Sequence, residues 1–113
     1  MYTLVLHKNL TTDRWQRFSK SQQILMITTE LNRAQTWIEK NQNYETNQCY
    51  ERAFELFDLT IADPKWQSGL KELLRARDIL AELYLQNTKD ELTNKQLMDA
   101  IILLSTEAYN MLH

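Results

Sequence analysis

Apolar residues at alternating steps of three and four recur along this chain, and no other feature restricts its fold as much. Only an α-helix gathers such a spacing onto one continuous face. The last instance is the plainest: Leu97, Ile101, Leu104, Ala108 and Met111 follow at steps of four, three, four and three. Residues 93–96 read T-N-K-Q, so the Thr93 hydroxyl can accept from the N3 amide while Gln96 reaches back to the threonine N–H. That spacing predicts a helix start at Thr93, with Leu92 and Leu97 closing a hydrophobic staple. A helix striped in this way has to lay its apolar side on other helices.

Three upstream segments answer it. Residues 19–22 form a second capping box, S-K-S-Q, ahead of Ile24, Ile27, Leu31, Ala34 and Ile38, with Leu25, Met26 and Trp37 widening the stripe. After the polar run 41–47, the next stripe is Tyr50, Ala53, Phe54, Phe57 and Ile61. Asp63-Pro64 then ends one helix and begins another, because proline disfavours helix at its predecessor yet suits the first helical position behind an aspartate cap. The third stripe is Trp66, Leu70, Leu73, Leu80 and Tyr84, fading into the polar residues 86–91. The reading is an all-α single domain over 1–113: an arm with a short helical turn over 1–18, then an up-down-up-down four-helix bundle over 19–113. Helices are expected near 20–41, 46–62, 65–86 and 94–112, and short connections make neighbours antiparallel.

Composition supports this. One glycine and one proline in 113 residues leave too few special backbone angles for a many-stranded sheet. One cysteine rules out an internal disulfide framework and suits a reducing compartment, here read as the cytoplasm. The opening M-Y-T-L-V-L-H-K has too short an apolar run for a secretion signal, and no run approaches the roughly 20 residues of a membrane span. Lys8, Arg14, Arg17 and Lys20 against Asp13 give residues 1–20 a charge of +3, so the remainder holds −5 of the overall −2. An acidic body argues against a broad phosphate-binding face, and hence against nucleic acid.

No constellation for catalysis emerges. Gly69 alone cannot build a phosphate loop, and His7 and His113 stand outside the stripes with no Glu-x-x-His pair for a bundle-type metal centre. No cofactor, metal or small-molecule substrate is expected. Cys49 reads as a small core residue, and Glu51, Glu55 and Asp58 as a solvated face. Arg77 breaks the pattern, since the third stripe assigns it to the interior, where a charge needs a partner. Glu51 is the first candidate partner and Glu107 the second; the other reading is a guanidinium that snorkels to a wet edge of the bundle. At one end of such a bundle Trp15, Phe18, Trp66, Tyr109 and Met111 gather beside Arg14 and Arg17. Tryptophans at a bundle end either close the core or, flanked by arginine as partner-binding surfaces are, meet a partner; on the second reading Trp15, Arg17, Phe18 and Trp66 are the candidate contact residues.

The function expected is a protein-protein interaction or adaptor module without catalysis, binding a protein partner or a second copy as a homodimer. The arm over residues 2–6 either lies on its own bundle or crosses to a partner chain. The chain's size, its Met-Tyr start and the S-K-S-Q-Q-I-L-M opening of a helix that runs to L-N-R-A resemble bacterial flagellin export chaperones, whose bundles bind an unfolded partner. The resemblance implies a chaperone-like binder as the alternative, although the glycine-bearing middle segment usual in that family is missing. A further alternative is the helical subunit of a nucleotidyltransferase or toxin-antitoxin complex, without the Arg-polar-x3-His motif associated with its nucleases.

Overall fold

The computed structural model describes residues 10–106 and 110. Among the described residues the chain is all helical, with no strand. Five α-helices are delimited among the described residues and pack together: α1 (Thr12–Arg17), α2 (Lys20–Glu39), α3 (Asn43–Ile61), α4 (Leu70–Leu85) and α5 (Glu91–Ile102), with a 3-10 helix (Pro64–Gly69) leading into α4. None of the described helices is long and apolar enough to cross a membrane. The arm at residues 2–6, both histidines, and Glu107, Ala108, Tyr109 and Met111 lie outside the described residues.

Local chemistry sets the ends of α2. Gln22 N donates to Ser19 Oγ at 3.2 Å and Ser19 N to Gln22 Oε1 at 2.8 Å, so the Ser19 capping box forms as expected. The other end closes on Asn41, at φ 57°, with Asn41 N donating to Ile38 O and Gln42 N to Trp37 O. This is the Schellman arrangement with asparagine in the left-handed position, which it tolerates better than most residues with a Cβ. Asp63 accepts from Lys65 N at 3.0 Å with Pro64 in the first helical position, again as expected, but the turn it starts is 3-10 and the α-helix begins only at Leu70. The one glycine sits where space is short: a Cβ on Gly69 would stand 3.3 Å from the Trp66 ring.

The last helix departs from expectation at both ends. Its cap is Asp90, whose Oδ1 accepts from Leu92 N at 3.1 Å and Thr93 N at 3.3 Å. Thr93 lies inside the helix, and Leu92 is 63% exposed, so neither the Thr93–Gln96 box nor the staple forms. Starting earlier carries Asn94 inward, where its side chain meets Tyr50, Gln35 and the Leu31 carbonyl. An aspartate at the helix start also faces the positive end of the helix dipole. At the far end, Leu104 N and Ser105 N bond three residues back to Ile101 O and Ile102 O, and this tightened turn interrupts the stretch expected to run unbroken to 112.

Packing follows the stripes. α2 lies chiefly against α3 and α5, and α4 against the same two, while α1 rests on α3. Every residue of the α2 stripe is buried, and its core partners are Tyr50, Ala53 and Phe57 from α3, Leu73, Leu80 and Leu83 from α4, and Leu97 and Ile101 from α5. The buried line on α4 is Leu73, Ala76, Leu80 and Leu83, one position round from the line expected through Leu70 and Tyr84. That rotation moves Arg77 from the interior to the flank.

Candidate partner-binding surface

The short helix α1 is held on the body by a polar clamp. Thr11 Oγ1 accepts from Arg14 N and starts the helix, whose inner residue Trp15 is fully buried and donates from Nε1 to Thr60 Oγ1 at 3.1 Å. Behind it the buried Gln23 amide donates to Trp15 O at 2.8 Å and to Asp63 Oδ2 at 2.9 Å, and accepts from Trp66 Nε1 at 2.6 Å. Lys65 Nζ donates to Gln16 O and Phe18 O, both at 2.8 Å, and to Asp63 Oδ2 at 2.9 Å. All three ammonium donors are used, and the last carbonyls of α1 gain a cation where the helix dipole favours one. Burial pushes the Asp63 carboxyl up, but bonds from Gln23 and Lys65 and the Lys65 charge outweigh it, leaving its pKa below the usual aspartate value.

Trp15 and Trp66 are thus 0% and 2% exposed, sealed by partners more than 40 residues away, and no docking partner can touch them. Phe18 and Arg17, by contrast, reach the surface. Phe18 is half-buried with its ring edge on Trp15 at 6.0 Å between centroids, and Arg17 is exposed. With Leu10, Arg14 and Gln22 they line an open depression of about 480 Å³. Lys20 stands beside this region with its ammonium 5.1 Å from the Trp66 ring centroid. The aromatic end expected from the sequence is therefore half core and half surface. Gln23 and Lys65 escaped sequence reasoning, and only Gln23 left a trace: it lies four residues before Ile27, on the edge of the α2 stripe.

Arg77 pairs with neither Glu51 nor Glu107. Its Nε donates to Asp58 Oδ1 at 2.7 Å, with the two side chains 35% and 34% exposed, and its guanidinium lies 5.1 Å from the Phe54 ring centroid. Glu51 instead accepts from Tyr84 Oη at 3.0 Å, and Glu55 is buried, so the α3 carboxylates are largely engaged rather than solvated. Cys49 is a core residue as read, yet Arg52 Nη2 points at its Sγ from 3.2 Å while Arg52 Nε holds the buried Glu30 at 2.8 Å. Burial pushes the Cys49 thiol up despite that arginine, the direction opposite to the one that activates a cysteine.

The opposite end of the molecule is also polar inside. Tyr50 Oη donates to Asn94 Oδ1 at 2.7 Å, Asn94 Nδ2 to Gln35 Oε1 at 3.0 Å, and Gln35 Nε2 to Glu91 Oε1 at 2.9 Å. Lys89, nearly buried, spends its ammonium on the Tyr84 and Gln86 carbonyls at the end of α4, and burial lowers its pKa. A pocket of about 110 Å³ beside it is lined mostly by amide and hydroxyl side chains. Among the described residues no group of histidine, cysteine and carboxylates could hold a metal ion. Compared with family models, curated proteins and solved structures, the chain matches none.

Proposed function

We propose that this protein is a protein-binding module that works by contact rather than reaction, in the cytoplasm, on an up-down-up-down four-helix body, and that its contact surface is the depression beside α1. The observation that carries this reading is the clamp. Three bonds from Lys65 and the buried Gln23 amide fix α1 so that Phe18, Arg17 and Leu10 are presented in a set geometry. A preorganised surface loses little freedom on binding, and an aromatic beside an arginine is the composition in which interface energy concentrates. The body supports the same reading: the start of α2 and the 3-10 helix after α3 meet at Gln23, Asp63 and Trp66, and the end of α2 meets the start of α5 at Gln35 and Asn94, as antiparallel neighbours do.

A photo-reactive residue placed at Gln22, inside the depression, and in a control at the exposed Asn32 on α2 tests this in the native cell. Protein adducts at position 22, absent at 32 and lost when Arg17→Glu is added, are expected. The same adducts from both positions, or adducts unaffected by Arg17→Glu, would show that the surface lies elsewhere.

A further inference from the structure

The depression also carries information about what fills it. We propose that its occupant is a carboxylate-bearing amphipathic segment of another protein, one that sets an apolar side chain on Phe18 and Leu10 and acidic side chains against Arg17 and its neighbours; this rests on the depression being the binding surface. Phe18 and Leu10 give the depression an apolar lining, which an all-polar ligand would leave wet. Its rim is cationic: Arg14 and Arg17, one helical turn apart on α1, both line it, and Lys20 at the start of α2 lies over the Trp66 ring. Among the described residues Arg17 has no ion-pair partner, whereas Arg33, Arg52, Lys65, Arg77 and Lys95 each close on a carboxylate.

A guanidinium beside an aromatic floor binds a planar carboxylate through paired N–H donors while its partner's apolar side chain excludes water, and exclusion of water strengthens the pair. Residues 1–9 carry Lys8 and no acidic residue, so the chain's own leading segment has the charge that this rim repels. Nucleic acid offers negative charge too, but beyond residue 20 the chain carries −5, and a polyanion long enough to reach several cations would run along an acidic body. A short acidic segment with an apolar anchor meets the cations without meeting the body.

Synthetic peptides decide between these occupants by calorimetric titration against the full-length protein. The first alternates leucine or phenylalanine with glutamate; the second replaces each glutamate by lysine; the third keeps the glutamates and replaces the apolar residues by serine; a single-stranded oligonucleotide is the fourth probe. The first alone should bind, with affinity falling as salt is raised. Arg17→Glu and Phe18→Ala should each weaken it by about tenfold or more, as anchor residues do. Circular dichroism of both variants should match the wild type, since neither side chain is part of the Gln23–Lys65 clamp. Binding of the lysine peptide or the oligonucleotide with equal strength would overturn the proposed partner while leaving a binding surface in place. Failure of the acidic amphipathic peptide to bind would overturn it as well, and site-specific adducts at position 22 would then show that the surface survives with a different occupant. Self-association abolished by Arg17→Glu, with no peptide binding, would make a second copy the occupant instead.

Discussion

Substituting Gln23→Met keeps the length and volume of a buried side chain while deleting all its hydrogen bonds. Trp15 O still accepts from Phe18 N, and Asp63 Oδ2 still accepts from Lys65 Nζ. Trp66 Nε1–H is left with no acceptor inside the core, at about 1–3 kcal/mol, and Asp63 loses a charge-assisted bond of about 1.5–3 kcal/mol. The expected loss is about 3–5 kcal/mol, a large share of a stability of roughly 5–15 kcal/mol. With a urea dependence of roughly 1–3 kcal/mol per molar, the midpoint followed by circular dichroism should fall by at least about 1 M, with an unchanged slope. A loss below about 0.5 kcal/mol would refute the argument that this amide ties α1 to the body. Gln23→Glu adds a test of sign. It sets a second carboxylate 2.9 Å from Asp63 Oδ2, so the pair holds a proton and its folded pKa rises. The deficit against wild type should therefore be smallest below about pH 4 and grow as pH rises through the pair's folded value. In the wild type Asp63 works oppositely: its depressed pKa stabilises above about pH 4, and that contribution is lost as pH falls through the folded value.

Asp90→Ala should lower the thermal midpoint, while Thr93→Ala should change stability by less than about 0.5 kcal/mol, because the hydroxyl caps nothing; the reverse order would restore the T-N-K-Q start. Arg77→Ala should cost at most about 1 kcal/mol in urea unfolding, since its pair with Asp58 is a third exposed, and a loss of several kcal/mol would mean an interior charge. Tyr50→Phe leaves the buried Asn94 Oδ1 without its donor and should cost about 1–3 kcal/mol by the same measurement. Burial, with the neighbouring Cys49, pushes the Tyr50 phenol far up, so its contribution is whole below about pH 10 and lost as pH rises further. The variant should show a flatter alkaline limb.

What could be read from the sequence was what neighbours in sequence decide. The Ser19 box and the Asp63-Pro64 junction involve partners two or three residues apart, and both form as the residues suggest. Asp90 and Thr93 were both competent caps within four residues, and the choice fell to Asn94, whose partners Tyr50, Gln35 and Leu31 come from elsewhere in the chain. A stripe drawn through large residues put Arg77 in line with the interior, whereas the buried line passes through the small Ala76 and the guanidinium reaches the molecule's edge. The aromatic end shows the limit most sharply. Its sequence gives tryptophans beside arginines, but whether an indole faces solvent depends on acceptors such as Thr60 and Gln23, 45 and 43 residues away.

Sealing two indoles at one end gives the molecule's light emission an address. Trp15 and Trp66 sit dry beside α1, while Trp37 is half-shielded near the end of α2 with the Lys40 ammonium 5.3 Å from its ring centroid. A collisional quencher should reach Trp37 first, and an anionic one such as iodide should be drawn there by the lysine. Separation of α1 from the body would wet Trp15 and shift emission to longer wavelength while Tyr50 and Tyr84, at the opposite end, kept their near-ultraviolet signal. The two signals, recorded on one unmodified sample, separate undocking of the short helix from loss of the whole fold.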